Sequence, residues 1–212
     1  MVHAQFNEDN LNNYCQILAD REPVFQAIID QFGFPPTYAR REGFDILVRN
    51  ILEQQVSLAS AKAAFYKLIE KLENITPEGI LSLSDEDLRA CYLSRQKIVY
   101  VRALSEGFVS KTLIMSGLHT MSDEDVRAKL TAIKGIGNWT ADVYLMMSLH
   151  RLDLFPTGDI AMMNSLKKHF KLDKKTSVEI ILNMAEAWKP YRSIATILLW
   201  HAYIIERNLK LD

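Results

Sequence analysis

The chain has 212 residues, of which 49% are hydrophobic and 24% charged, a balance typical of a folded globular protein and unlike a disordered chain. Its formal net charge of -1 excludes a strongly basic protein that binds nucleic acid through overall charge, so any contact with phosphates must depend on local geometry. Two cysteines, Cys15 and Cys91, are too few for a disulfide framework or for an iron–sulfur cluster, which needs about four thiolates.

The N-terminal segment and the most apolar stretches indicate neither export nor a membrane. Residues 1–13 are polar and lack the basic and then apolar pattern of a signal peptide. Residues 143–149 and 194–200 are apolar but much shorter than the roughly 18 residues that a membrane-spanning helix requires. We therefore expect no membrane partner, and a protein of the cytoplasm, associated with the nucleoid in a bacterium, or of the nucleus in a eukaryote.

Helical periodicity dominates the chain from residue 44 onward. Phe44, Leu47, Val48 and Ile51 follow the i, i+3, i+4, i+7 spacing of one apolar helix face. Further along, three helix starts are marked by residues that commonly cap helices, namely Thr76 before Pro77, Ser84 with Asp87, and Ser122 with Asp125. A long helix is predicted over residues 95–116. No alternating stretch is long enough to predict a strand, so the predicted fold class is all-α.

The domain organisation predicted is one helical unit over residues 1–212, with a cleft between two lobes. The first lobe is expected to span residues 42–129. The second is expected to combine residues 1–41 with residues 130–212. The sequence contains no low-complexity segment, evident repeat or linker that would separate these lobes into independent domains.

Two glycines between helical segments form the most informative motif. Residues 126–130 before Gly135, and residues 139–149 after Gly137, both have helical patterns. Glycines at i and i+2 permit a tight reversal because neither carries a Cβ and both tolerate positive φ. Such a turn leaves backbone N–H groups at the start of the second helix, where a phosphate oxygen can bind without a basic side chain. Taken alone, the two glycines are equally compatible with a simple turn.

The sequence around these glycines, residues 133–142, resembles the helix–hairpin–helix motif of the DNA glycosylase superfamily that is named for this hairpin, a Gly/Pro-rich loop and an aspartate. Lys134 stands where the customary residue is proline, and its cation is expected close to a bound DNA phosphate. The resemblance implies that the N–H groups of Gly135 and Gly137, together with Thr140, hold a DNA phosphate. It also implies a monovalent cation, Na⁺ or K⁺, on the main-chain carbonyls of Thr131, Ile133 and Ile136.

Asp159 is the expected catalytic residue. Pro156 and Gly158 indicate a loop, and Asp159 stands where the next amphipathic helix begins, which stabilises an ionised carboxylate. The residue type and position also fit a simple helix cap. In the superfamily that the hairpin resembles, the catalytic aspartate lies at this point. Asp142 and Asp153 are the competing carboxylates, with Asp142 expected on the second hairpin helix and Asp153 in the preceding loop.

Three further segments, residues 43–57, 93–97 and 188–200, resemble the 3-methyladenine DNA glycosylase II branch, in a compact form without that branch's N-terminal sheet domain. The resemblance implies a monomeric enzyme that flips an alkylated purine out of double-stranded DNA and hydrolyses its N-glycosidic bond. No cofactor is required for this reaction. It implies DNA contacts for Gln54, Ser57 and Arg95. It also implies that Leu93 is the wedge that fills the gap left by the extruded base, although a leucine at a helix entry fits the protein core equally well.

The same resemblance assigns a base pocket to Trp139, Trp200 and Val143. Indole rings stack well on a cationic purine, through cation–π attraction and area burial. Val143 replaces a pocket tyrosine, and Gly158 replaces an acid beside the aspartate, so the range of bases could differ from that of the best-known member. Relatives that also nick the strand have a lysine at the position of Trp139. The expected enzyme is therefore monofunctional, without lyase activity.

Two other functions remain compatible with these residues. A helix–hairpin–helix module that binds DNA without catalysis would need Gly135 and Gly137 but not Asp159. A glycosylase for deaminated or oxidised bases would need more help from its pocket, because those bases leave as neutral groups. Release of methylated purines from DNA separates the three functions.

Overall fold

The computed structural model describes residues 4–209, and these residues fold into helices joined by short loops. Within this range there is no strand, only an isolated antiparallel bridge between Gln5 and Arg151, which confirms the predicted all-α class. None of the described helices is long and apolar enough to cross a bilayer. The α-helices are α1 (Leu11–Arg21), α2 (Pro23–Phe32), α3 (Phe44–Glu53), α4 (Leu58–Leu72), α5 (Pro77–Ser82), α6 (Asp85–Ala90), α7 (Arg95–Val109), α8 (Asp123–Thr131), α9 (Asn138–Met147), α10 (Ile160–His169), α11 (Val178–Ala185) and α12 (Arg192–Glu206).

The helix starts that the sequence predicted are confirmed. Thr76 caps α5 by accepting a hydrogen bond from the Gly79 amide, with Pro77 at the first helical position. Ser84 and Asp87 form a full capping box at the start of α6. At α8, Ser122 accepts from the Asp125 amide, while the Asp125 carboxylate accepts from the Ser122 hydroxyl.

The helix predicted over residues 95–116 is shorter than expected. It ends at Val109, because Ser110 caps it and Lys111 adopts a left-handed conformation with φ of 60°. The chain then turns back, and the Leu113 amide donates to the Gly107 carbonyl at 2.9 Å. Burial of the Leu113 side chain favours this reversal over a continued helix. Periodicity alone could not detect it.

The described part of the chain divides into two compact units, residues 40–144 and residues 4–39 with 145–209. The first contains α3 to α8 and most of α9, and the second contains α1, α2 and α10 to α12. By its contacts the glycine turn at residues 132–137 therefore belongs to the first unit, whereas the sequence analysis grouped it with the second. The turn separates α8 from α9. The sequences of these helices did not predict that both make their contacts within the first unit, because such contacts depend on tertiary packing.

The first unit is built around α7. Helices α3, α5 and α6 all pack against it, and α4 packs on α3. The predicted apolar face of α3 is buried throughout, from Phe44 to Ile51, and Val101 and Leu104 of α7 are fully buried. Arg102 joins α7 to the loop between α5 and α6 and to the start of α6 by donating to the Leu83 carbonyl and the Asp85 carboxylate, each at 2.8 Å.

The second unit is built around α12, which packs against α1, α2 and α10. Nearly every residue of α12 from Ser193 to Ala202 is buried, so this helix is apolar on all sides. The fully buried indole of Trp188 lies among Phe25, Phe155 and Phe170, with ring centroids 5.2–5.8 Å from its own. These rings anchor the loops before α10 and α12 to the core of the unit.

Candidate functional site

The glycine turn between α8 and α9 is closed by its own backbone. The Ile133 amide donates to the Leu130 carbonyl at 3.1 Å, and the Ile136 amide donates to the Ile133 carbonyl at 3.0 Å. Gly135 has φ of 97°, in the region that side chains disfavour. A Cβ at Gly135 would overlap the ring of Tyr100 on α7, so both conformation and space require glycine here.

Gly137 meets a different requirement. It is not left-handed, so the expectation that both glycines would exploit positive φ is correct only for Gly135. A Cβ at Gly137 would meet no atom within 4 Å. The residue is exposed and immediately precedes α9, whose first-turn N–H groups have no carbonyl one turn back within the helix. A small residue here keeps the approach to those N–H groups open.

Gln54 holds the turn in place from α3. Its side-chain amide donates to the Gly135 carbonyl and to the Thr140 hydroxyl, each at 2.9 Å. The amide thus bridges the tip of the turn and the first turn of α9. Thr140 is only 1% exposed. The structure therefore directs the side-chain amide of the half-buried Gln54 and the Thr140 hydroxyl toward each other, and the DNA contacts expected for both residues stay predictions.

The C-terminal end of α3, which carries Gln54, is itself fixed by charged groups. Arg40 donates to both oxygens of Glu53, at 2.8 and 2.9 Å, and Arg49 donates to Glu53 at 3.1 Å. The Lys97 ammonium on α7 donates to the Leu52 carbonyl. Burial lowers the pKa of Lys97, although the Glu53 carboxylate acts in the opposite direction. Sequence reasoning missed these partners and Tyr100, because nothing in the linear pattern pairs residues so far apart.

The remaining residues expected to contact DNA have different environments. Ser57, Arg95 and Lys134 are exposed, and Ser57 also caps α4 by accepting from the Ser60 amide. Leu93 is only 4% exposed. A buried leucine fills the core of the unit, which agrees with the core position that the sequence left open for Leu93, and a wedge at this residue would have to leave that core.

The carbonyls of Thr131, Ile133 and Ile136 fit the chemistry of a monovalent cation. They are neutral oxygen donors within one short turn at the end of α8. The Ile133 carbonyl already accepts from the Ile136 amide, but a carbonyl oxygen has two lone pairs and can still coordinate an ion. The Thr131 hydroxyl is occupied elsewhere, donating to the Arg127 carbonyl at 2.8 Å.

Asp159 is the N-cap of α10 in the second unit. Its carboxylate accepts a hydrogen bond from the Met162 amide at 2.8 Å, and its own amide donates to the Pro156 carbonyl at 2.9 Å. The residue is 8% exposed. The cap predicted from the sequence is thus confirmed, and it fixes the orientation of a largely buried carboxylate.

The two competing carboxylates are both bound to arginines. In the first unit, Asp142 accepts from Nε and a terminal nitrogen of Arg127, at 3.0 and 2.8 Å. Burial raises the pKa of Asp142 despite this neighbouring charge. In the second unit, Arg192 donates to both oxygens of Asp153, at 2.8 and 2.9 Å, and joins the loop before α10 to the start of α12. These pairings give Asp142 and Asp153 structural roles.

The three residues expected to form a base pocket differ in exposure. Trp139, in the first turn of α9, and Trp200, on α12, are half-buried, whereas Val143 is buried. Next to Trp200, the His201 ring is held between two partners. Its Nε2 lies 3.1 Å from the Phe32 carbonyl, which can only accept, so Nε2 carries the proton and Nδ1 accepts from the Tyr38 hydroxyl at 2.8 Å.

Comparisons with known proteins agree on one family. Residues 48–190 match the model of the "HhH-GPD superfamily base excision DNA repair protein". The chain is 33% identical to YfjP of Bacillus subtilis over 200 residues, covering 90% of this chain and 70% of that protein. It is 30% identical to DNA-3-methyladenine glycosylase 1 of Schizosaccharomyces pombe over 165 residues, covering 76% and 72% of the two chains.

A solved structure shows the same fold. The 3-methyladenine DNA glycosylase Mag1 of Schizosaccharomyces pombe, in complex with abasic DNA, superposes with a TM-score of 0.77 at 25% identity. The superposition covers 89% of this chain and 95% of that one. The likeness therefore extends across both compact units.

The two glycines of the turn are predicted to respond differently to substitution. Gly135→Ala adds a left-handed alanine and an overlap with Tyr100, so its free energy of unfolding should fall by about 2 kcal/mol or more. Gly137→Ala should change stability by less than about 1 kcal/mol but should weaken binding of abasic duplex DNA, because its methyl group covers the first-turn N–H groups. Urea unfolding and fluorescence anisotropy measure the two effects. Unchanged DNA affinity of Gly137→Ala would contradict the predicted phosphate contact.

Stability is predicted to decrease in mild acid. Burial lowers the pKa of His201 and of His169, so both bind protons more weakly in the folded chain than in the unfolded chain, where the histidine pKa is about 6.5. The free energy of unfolding should therefore fall as pH drops below about 6.5. Urea unfolding between pH 7 and 5 should show a shallower decrease for His201→Gln than for the parent protein. Replacing the exposed His119 by Gln should leave the profile unchanged, and an equal effect of both variants would refute the assignment.

Proposed function

The chain belongs to the HhH-GPD superfamily of base excision DNA repair proteins, and we propose that it is a DNA glycosylase that hydrolyses the N-glycosidic bond of alkylated purines. The observation that carries this proposal is Asp159, a largely buried carboxylate held in one orientation at the start of α10. The substrate class follows the names of the relatives, among them the 3-methyladenine glycosylases of Schizosaccharomyces pombe.

The chemistry needs only one carboxylate. As the bond between C1′ and the base nitrogen breaks, its electron pair leaves with the base and positive charge develops on the sugar. The negative charge of Asp159 stabilises this sugar cation, and the carboxylate orients the water that adds to C1′ and accepts its proton. A purine alkylated at N3 or N7 is already cationic and leaves as a neutral base, so no general acid is required.

The glycine turn supports binding of a DNA phosphate by geometry instead of net charge. The first-turn N–H groups of α9 follow directly after Gly137, where a side chain would meet no neighbouring atom, and Lys134 adds an exposed positive charge beside the turn. A monovalent cation on the carbonyls of Thr131, Ile133 and Ile136 would supply further positive charge there. Because the chain has a net charge of -1, these local features must provide most of the attraction for DNA.

Selectivity for the base is assigned to aromatic stacking. Trp139 and Trp200 retain exposed ring surface, and an indole face attracts a cationic purine more strongly than a neutral one. Base flipping itself costs a few kcal/mol and is least unfavourable for damaged bases, which adds to the discrimination. The buried Val143 is expected to shape the pocket without contacting water.

We further propose that the enzyme acts as a monomer and does not nick the DNA strand. A lyase needs an amine that forms a Schiff base with the sugar, and Trp139 cannot supply one. Lys134 precedes the tight turn at Gly135 and lies on its other side in sequence. A chromosomal substrate implies that the protein works where that DNA is, in the cytoplasm of a bacterium or the nucleus of a eukaryote.

Asp159→Asn is predicted to abolish catalysis without unfolding the protein. Asparagine caps helices about as well as aspartate, so α10 should form normally, while the charge that stabilises the sugar cation is lost. Release of 3-methyladenine and 7-methylguanine from methylated DNA should fall by a factor on the order of 10² or more. The matched control is Asp20→Asn, an exposed aspartate of the same unit, which should retain full activity.

Substrate and binding controls separate the alternatives. Affinity for a duplex with a stable abasic-site analogue should be kept by Asp159→Asn. Excision near the parent rate by this variant would refute the catalytic assignment. DNA binding by the parent without release of any base would instead indicate a non-catalytic DNA-binding module. Release of uracil or hypoxanthine at a rate equal to that of the methylated purines would indicate a glycosylase for deaminated bases.

A further inference from the structure

The turn between α6 and α7 holds a tyrosine where glycine is usual. The Tyr92 amide donates to the Arg89 carbonyl at 2.9 Å, and the Leu93 amide donates to the Leu88 carbonyl at 3.2 Å. This pair of hydrogen bonds is the Schellman motif that ends many helices, and its left-handed position is most often glycine. Here that position is Tyr92, with φ of 66°.

Burial of the Tyr92 side chain does little to offset the energetic cost of its left-handed conformation. A left-handed non-glycine residue costs about 1 kcal/mol or more. The residues on either side, Cys91 and Leu93, are buried and anchor the turn, whereas Tyr92 itself is 64% exposed. A glycine at this position would satisfy the same hydrogen bonds with less strain. The Tyr92 side chain interacts electrostatically with Lys67 on α4, but most of its ring remains open to solvent.

Three contacts in the first unit join the N-terminal half of α7, which directly follows the Tyr92 turn, to the glycine turn. Lys97, in the first turn and a half of α7, donates to the Leu52 carbonyl, and the adjacent Gln54 donates to the Gly135 carbonyl. On the same helix, the Tyr100 ring lies directly under Gly135. Because a helix rises about 1.5 Å per residue, the start of α7 lies within roughly 10 Å of the Tyr100 level. The Tyr92 turn and the hairpin thus belong to one region of the surface.

The charges beside Tyr92 suit a nucleic acid. Arg95, at the first position of α7, and Arg89, in the last turn of α6, are both exposed. The three carboxylates of α6 lie in its first turn, at the opposite end of the helix from Tyr92. Asp85 is paired with Arg102 and Asp87 with Lys71. Glu86 lies 3.8 Å from Arg89, so Arg89 shares its charge with that carboxylate and Arg95 is the principal cation beside the ring. An aromatic ring flanked by arginines can stack on bases while the guanidinium groups contact phosphates.

We propose that Tyr92, and not Leu93, is the side chain that enters the base stack of the duplex and fills the space left by the extruded nucleotide. The proposal rests on the proposed glycosylase function. It assigns the partner as double-stranded DNA containing a flipped or missing base. Tyr92 is a positioning residue in this scheme, since it stabilises the extruded state and takes no part in breaking the bond. Inserted side chains elsewhere kink DNA and offset the cost of unstacking in the same way.

The test compares Tyr92→Gly with Tyr92→Phe in the full chain. Tyr92→Gly removes both the ring and the backbone strain, so its free energy of unfolding should be equal to or higher than that of the parent. Its affinity for a duplex with a stable abasic-site analogue should nevertheless fall by about tenfold, the typical loss for one stacked aromatic ring. Tyr92→Phe should keep both the stability and the affinity within about twofold of the parent.

Two additional readouts separate the outcomes. With 2-aminopurine opposite the abasic site, binding of the parent and of Tyr92→Phe should change the fluorescence through stacking, and binding of Tyr92→Gly should not. The control is Val109→Ala, which removes an exposed apolar group at the other end of α7. Unchanged affinity and fluorescence response of Tyr92→Gly would overturn the assignment of Tyr92. If the parent neither binds abasic DNA nor releases methylated purines, the proposed function itself fails.

Discussion

The hairpin depends on the hydrogen bonds that the side-chain amide of Gln54 donates. These two hydrogen bonds join the end of α3 to the tip of the glycine turn and to the first turn of α9. Glu53 and Leu52 are held by Arg40, Arg49 and Lys97, so the position of Gln54 is fixed by the adjacent residues of α3. The N–H groups that are proposed to bind a phosphate can be preorganised only if this support is rigid.

A protein without excess positive charge must bind DNA through such preorganised groups. The left-handed Gly135 permits a close reversal over Tyr100, and the left-handed Tyr92 displays a ring at the neighbouring turn. At both positions the backbone is left-handed, and both lie where contact with DNA is proposed. The second unit contributes Asp159, whose cap hydrogen bond fixes the charged group that the chemistry needs. Binding and catalysis are thereby assigned to groups whose orientation the backbone sets.

Much of the fold could be predicted from the sequence, because its signals are local. Capping residues such as Thr76 and Ser84 act within one helical turn, and the apolar face of α3 follows from spacing alone. The end of α7 could not be predicted, since it depends on Leu113 being buried by residues distant in sequence. The same holds for the assignment of the glycine turn to the first unit.

The candidate site residues also divide into those that local sequence signals identify and those that depend on tertiary contacts. Asp159 and Gly135 were recognisable because cap and turn chemistry are local, and the family resemblance supplied their roles. The family resemblance assigned DNA contacts to Gln54 and Thr140 and left Leu93 open between a wedge and a core residue, and only tertiary contacts show that the Gln54 amide binds the turn and that Thr140 and Leu93 are buried. Tyr92 carries no sequence signal of its own, because only the folded turn reveals that it is left-handed and exposed.

Hydrogen exchange of the backbone amides of residues 135–140 in Gln54→Ala tests this dependence most directly, alongside anisotropy with abasic duplex DNA. Loss of two hydrogen bonds, each worth about 1 kcal/mol, should accelerate exchange in the turn and weaken DNA binding by about tenfold or more. Gln31→Ala, which changes an exposed glutamine of α2, should match the parent in both measurements. Parent-like exchange and affinity in Gln54→Ala would contradict the role of this side chain in holding the hairpin.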